Sequence, residues 1–316
     1  MKNFTRICLI ISLVAIIIGF TSCAAGVGLG FSFNSFQRLI ENDWFTFNIG
    51  YIGESFYEED DLENTSVRGG DNWIQNETAY DAEKVKSFDL EINGGKIVIE
   101  ETQDEEIGVE VEYRSIFGSF TRNIKSELDN HTLKICDTNK RKWIRQKNAY
   151  VTIRVPEGIQ FNRIDMEIGA GVIQLDTSLH AKDIHIEVGA GELISKKVQL
   201  TADKSLNLSV GTGNVSLYHA AANKMKIHNG VGETKVKEAT AQKISINNGV
   251  GNVDIRVSGK ESDYSYKISA GIGGVEVGDG NHFGFGADKV IKNDASNDVE
   301  IESGIGAVKL SFSSDE

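Results

Sequence analysis

From residue 164 onward, apolar and polar residues alternate in short runs, and one glycine phrase interrupts them seven times: EIGAG, EVGAG, SVGTG, HNGVG, NNGVG, SAGIG and ESGIG. Ahead of the phrase, Ile184, Ile186 and Val188 share one face while His185 and Glu187 take the other; Leu206, Leu208 and Val210 repeat the arrangement. Behind it, pairs such as Ile173 and Leu175, Val215 and Leu217, and Val253 and Ile255 alternate again. A period of two on both sides predicts two strands per repeat with one buried face, whereas a helix needs apolar residues at i, i+3 and i+4.

The first glycines of the phrase are Gly169, Gly189, Gly211, Gly230, Gly249, Gly271 and Gly304, with steps of 20, 22, 19, 19, 22 and 33 residues. The second glycines are Gly171, Gly191, Gly213, Gly232, Gly251, Gly273 and Gly306. Repeats of about 20 residues cannot bury an apolar face alone and must stack. The predicted fold is all-β: a parallel β-solenoid of about 20 residues per coil, with the paired glycines as structural corners. An antiparallel sandwich or meander of about fourteen strands, which also has short, regularly spaced strands, is the alternative, though such folds rarely repeat the same corner glycines in phase. The residue between the glycines grows from Ala170 and Ala190 through Thr212, Val231 and Val250 to Ile272 and Ile305. The residue ahead of them shrinks or turns polar, from Ile168, Val188 and Val210 to Asn229, Asn248, Ala270 and Ser303. This predicts two core positions exchanging volume, and an amide ladder between Asn229 and Asn248.

Upstream, Phe88, Leu90 and Ile92 alternate before Gly94-Gly95, an expected first coil that Ile97, Ile99, Ile107, Val109 and Val111 continue. The repeat domain is therefore expected over 86–312, with insertions at 113–147 and 278–291 and a tail at 313–316. The first insertion carries nine basic residues and an expected strand pair turning at Asp129-Asn130. It is expected to cap an open sheet edge. The second is expected as a surface loop.

The N-terminus changes the picture. Lys2 and Arg6 precede an uncharged stretch at 7–31, and roughly 20 apolar residues span a bilayer. This predicts one transmembrane helix, with residues 1–6 inside and the rest outside. A lipoprotein signal with Cys23 as the lipidated residue, after Phe20-Thr21-Ser22, and a cleaved secretory signal remain alternatives. Residues 32–85 read as a juxtamembrane region, with Trp44, Phe45 and Phe47, followed by an acidic linker containing Glu58, Glu59, Asp60 and Asp61.

Candidate chemistry is sparse. Six histidines lack metal-binding spacing, and no cofactor, metal ligand or catalytic residue is expected. Three cysteines leave Cys136 alone beyond residue 31. Glu167, Glu187 and Glu302 recur at one outward position, but Ser209, His228 and Asn247 interrupt the column. Paired carboxylates serve glycoside cleavage, which leaves a polysaccharide-active enzyme as the most remote reading. A net charge of −13 disfavours binding of anionic polymer or lipid through the general surface, and the expected location outside the membrane disfavours nucleic acid as a partner.

The turn Val155-Pro156-Glu157-Gly158, then Ile164-x-Met166-x-Ile168-Gly-Ala-Gly and repeated strand–GxG–strand units, resembles the bacterial putative-adhesin family with β-strand repeats, the toastrack domain, over roughly residues 85–312. The family's function is unknown and it carries no established catalytic residues. The resemblance implies surface interaction or an envelope scaffold, with an envelope polymer or another membrane protein as partner. A cell-envelope stress component acting through a membrane partner is the alternative.

Overall fold

The computed structural model describes residues 73–114, 124–137, 149–278, 281–284 and 287–313, all within one compact unit, Asp60–Glu316. The stretch at 7–31, Cys23, the aromatic residues that follow and the acidic linker lie outside the described residues. No described helix is long and apolar enough to cross a membrane.

The described chain is all-β, one 13-stranded sheet. Its centre is a parallel stack of β2 (Ser87–Thr102), β7 (Gln160–Leu175), β8 (Leu179–Ser195) and the long β9 (Gln199–Val257). Ile92 pairs with Ile168, Ile168 with Val188, and Val188 with Val210, so equivalent residues of successive repeats stand in register. The strands run through their corners without interruption. A third short run also stacks, Phe161 on Ala181 on Ala202, beyond the two expected. The inward residues form one continuous aliphatic core, each large side chain contributing about 1.5–3 kcal/mol by leaving water. Aromatic side chains close it near both ends: Phe88 meets Phe161 edge-on at 5.1 Å, and Tyr264 and Tyr266 pack on Phe312.

At the corner, Gly191 has φ 141°, open only to glycine. A Cβ there would run into the Gly171 carbonyl oxygen of the coil beneath, and one on Gly189 would stand 2.5 Å from the Gly169 oxygen. The other second glycines repeat this arrangement. Gly213, Gly273 and Gly306 have φ 143°, 141° and 136°, and each faces a carbonyl oxygen of the neighbouring coil: that of Gly191, Gly306 and Gly251 respectively. The paired carbonyls show that Gly273 stacks on Gly306 and Gly306 on Gly251, which is not their order along the chain.

The residue between the glycines does not enter the core. Val231, Val250, Ile272 and Ile305 are 48, 44, 54 and 50% exposed. Buried Thr234 lies five positions after buried Asn229, an odd offset, so the alternation slips by one at the corner and its middle residue points outward. The expected exchange of volume between two core positions is therefore absent. The amide ladder is present: Asn229 Nδ2 donates to Asn248 Oδ1 at 2.9 Å.

Stacking order departs from chain order at both ends. The last coil of β9 pairs not with β10 (Tyr264–Val277) but with β13 (Asn297–Phe312), and β10 lies outside β13. Val250 thus stands beside Ile305, and Ile305 beside Ile272. The expected step from the Gly271 corner directly onto the Gly249 corner is replaced: Gly304 stands between them, because β13 satisfies the open edge of β9. The expected loop at 278–291 contains two strands, β11 (Asn281–Gly284) and β12 (Ala287–Ile291), which cover the outer edge of β10 antiparallel. The 33-residue step is the length of this detour.

At the other end, the coil beside β2 is assembled from two pieces, β5 (Thr132–Asp137) and β6 (Ala149–Pro156). β4 (Ile124–Asp129) pairs antiparallel with β5, turning at Asn130-His131, both with positive φ. Ile107, Val109 and Val111 do not continue a coil. They belong to β3 (Glu106–Arg114), antiparallel to both β6 and β1 (Trp73–Asp81). Among the described residues the sheet therefore extends back to Trp73, inside the stretch 32–85 read as a juxtamembrane region and linker. Antiparallel strands cover the edge strands at both ends, which blunts open edges.

Candidate interaction face

The side chains ahead of each corner alternate inward and outward, and stacking lines the outward ones into columns. One column runs Glu91, Glu167, Glu187 and Ser209 by direct pairing. A second runs Asp89, Asp165, His185 and Asn207. Their first members line a shallow open groove that includes Asp89, Glu91, Asp165, Glu167 and His185. Glu167 and Glu187 are in-register neighbours, as their sequence positions imply. Glu302 stands apart from them, accepting from Asn247 Nδ2 at 3.3 Å. Glu91 was missed: it joins the column from a coil 76 residues before Glu167, ahead of the regular period.

Two cations flank these carboxylates: Lys134 of β5 is in register with Asp89, and Arg163 donates to Asp165 through Nε and Nη2 and is held above its usual pKa by that contact. Cys136, beside Glu91 across β5 and β2, reports the local field. Burial first, then Glu127, Glu91 and Asp89, push its thiol up, so it stays protonated and a poor nucleophile. Among the described residues no group of His, Cys, Asp and Glu is placed to hold a metal ion.

Further along the stack the sign reverses. Lys224, Lys226, Lys243, Lys267 and Lys292 line a second groove with Asp298 and Glu300. Lys243 pairs with Asp298 at 3.7 Å and Lys267 with Glu300 at 2.5 Å. Of the nine basic residues at 113–147, only the side chains of Lys125 and Lys134 are described; Lys134 is in register with Asp89 and is paired with Asp129 at 2.7 Å.

The corners form the face's border. There the side chains of Asn214 and Asn252 accept from the backbone N–H of Glu233 and Ala307 in the next coil, at 3.3 and 3.2 Å, where the ladder bends. The first glycines, Gly169, Gly189, Gly211, Gly230, Gly249, Gly271 and Gly304, each lie against a backbone oxygen of an adjacent coil. So do the second glycines, Gly171, Gly191, Gly213, Gly232, Gly251, Gly273 and Gly306. All fourteen are packing positions, and none carries a side-chain group that binds or reacts.

The family model of Toastrack DUF4097 matches residues 85–288. Among solved structures, a putative cell adhesion protein from Clostridium sporogenes is similar at 16% identity, covering 76% of this chain and 99% of that one, with a TM-score of 0.34. A putative adhesin from Bacteroides fragilis is similar at 16% identity, covering 76% and 98%, with a TM-score of 0.30. No curated protein matches the chain.

Proposed function

The chain belongs to the toastrack family, and from that premise we propose that it is a non-enzymatic surface-interaction protein, a stiff β-repeat stack that presents its outward charged face to a partner. The observation that carries this reading is the reversal of charge along that face, from Asp89, Glu91, Asp165 and Glu167 at one end to Lys224, Lys226 and Lys243 further on. Segregated charge steers and orients a partner. The inward side chains are committed to the core, so presentation falls to the outward ones.

In this reading the parallel coils form a solenoid-like scaffold, and residues 7–31 anchor it with the repeats outside the membrane. The partner is an envelope polymer or another membrane protein. The outward carboxylates line a groove that stays open to water and does not enclose them, which supports binding over glycoside cleavage. The test is sedimentation of the full chain, its anchor held in detergent micelles, with membrane-free envelope fragments from the cells that make it, with the supernatant assayed for released sugars. The expected result is co-sedimentation that added salt reverses, with no sugar released. Sugar release that Glu167→Gln abolishes would establish the enzymatic reading instead.

A further inference from the structure

The lysine groove near the C-terminal end of the stack is the strongest candidate for a defined binding site. Three of its five lysines, Lys224, Lys226 and Lys292, are exposed, and no described ion pair involves them. Two carboxylates face five ammonium groups, in a chain whose net charge is −13. Unpaired cations concentrated in one groove of an acidic protein are a local attraction for an anion.

The placement follows from register. Lys224 precedes buried Met225, and Lys243 precedes buried Ile244, on successive turns of β9, so the two share one outward position. Lys243 is in register with Asp298. Lys292 follows Ile291, which pairs with Tyr266 of β10. From Lys224 to Lys292 is four strand spacings, about 19 Å across the strands. Lys226 lies two residues along the strand from Lys224. A compact ion would satisfy one end of this array only, whereas an extended anion crossing the strands meets all of it.

We propose that this groove binds a linear polyanion with closely spaced charges, of the phosphate-polymer type. The proposal rests on the surface-interaction reading and names its site. The groove's cations are all lysines, compact point charges without the planar fork by which arginine selects carboxylate geometry. It therefore responds to charge density along the ligand. Among the described residues of the groove the one aromatic, Tyr266, is buried, so none of them offers an exposed ring to stack a base and strengthen the binding of a single-stranded nucleic acid.

The test is titration of the full chain with long-chain inorganic polyphosphate, with polygalacturonate and an oligothymidylate of matched charge as comparisons. Polyphosphate should bind most tightly, in a salt-sensitive manner. The triple variant K224S/K226S/K292S should bind roughly tenfold more weakly, because each exposed charge contributes modestly. K182S/K196S/K197S, exposed lysines elsewhere, should bind as the native chain does. Absence of polyphosphate binding, equal weakening by both triple variants, or tighter binding of the oligothymidylate overturns the proposal. If polyphosphate fails to bind while the chain still sediments with envelope fragments, the groove is not the site and the surface-interaction reading stands. Failure of both removes that reading as well.

Discussion

Asn229 Nδ2 donates to Asn248 Oδ1 at 2.9 Å, and Asn248 Nδ2 in turn lies 3.3 Å from Ser303 Oγ. The ladder links three neighbouring coils through the core, although Ser303 is 55 residues beyond Asn248. Asn229 and Asn248 also donate to Gly232 O and Gly251 O, which ties each amide to its own corner. Asn248 is the centre of this network. Asn248→Ala should cost about 1–3 kcal/mol, since it strands buried partners on both sides. Ser303→Ala, at the ladder's end, should cost about 1 kcal/mol or less. Urea unfolding of the two variants checks this, and a larger loss from Ser303→Ala would count against the network.

Glycines in this chain are not interchangeable. Gly191 combines φ 141° with a carbonyl in the way of any Cβ, while a Cβ on Gly274 meets nothing within 4 Å. Gly191→Ala should cost more than about 3 kcal/mol, combining strain with backbone displacement. Gly274→Ala should change stability by about 0.5 kcal/mol or less. Thermal melts of both decide the matter; similar shifts would mean that the corners are looser than described.

Much of this fold was legible in the alternation around residues such as Ile184, Ile186 and Val188, because period two states which face is buried. It does not state which strand lies alongside. Val299-x-Ile301 and Tyr266-x-Ile268 both offer the pattern that Ile244-x-Ile246 needs, so the exchange of the last two coils was hidden. The glycine phrase could not reveal it either, since Gly273 and Gly306 are equally able to stack on Gly251. The outward turn of Val231 and Ile305 was missed for a related reason: a corner shifts the phase of the alternation, and apolar character alone cannot show on which side a residue falls. On the candidate face, Glu167 and Glu187 were recognisable by their common phase. Glu91 was not, and the lysine groove draws on β9, β10, β12 and β13, whose adjacency only the stacking order reveals.

That order predicts a specific cross-link. Val250 and Ile305 are register partners, whereas Ile272 lies one strand further out, about 9.6 Å from Val250. In a chain with Cys8, Cys23 and Cys136 changed to Ser, V250C/I305C should oxidise to a disulfide and V250C/I272C should not, because bridging requires Cα atoms closer than about 7 Å. Non-reducing digestion with mass spectrometry reads the result. The opposite pattern would restore simple chain order.

The edge beyond β2 is held partly by charge. Arg154 of β6 reaches Glu77 of β1 at 3.3 Å, Glu100 of β2 at 3.1 Å and Glu110 of β3 at 2.5 Å. Glu110 foremost raises the guanidinium above its usual pKa. Arg154→Met leaves three carboxylates facing one another and should cost roughly 1–2 kcal/mol at low salt. The loss should shrink in 1 M salt, where such charges are screened beyond about 3 Å. A salt-independent loss, measured by urea unfolding, would assign Arg154 a packing role.

The central claim is that binding belongs to the charged outward face and not to the repeated glycine corners or the apolar residues they expose. Sedimentation of the detergent-held full chain with membrane-free envelope fragments tests it most directly, comparing the native chain with K224S/K226S/K292S and with V231S/V250S/I272S/I305S. The account predicts that the lysine variant stays in solution while the corner variant sediments as the native chain does. Retention of the lysine variant together with release of the corner variant would contradict it.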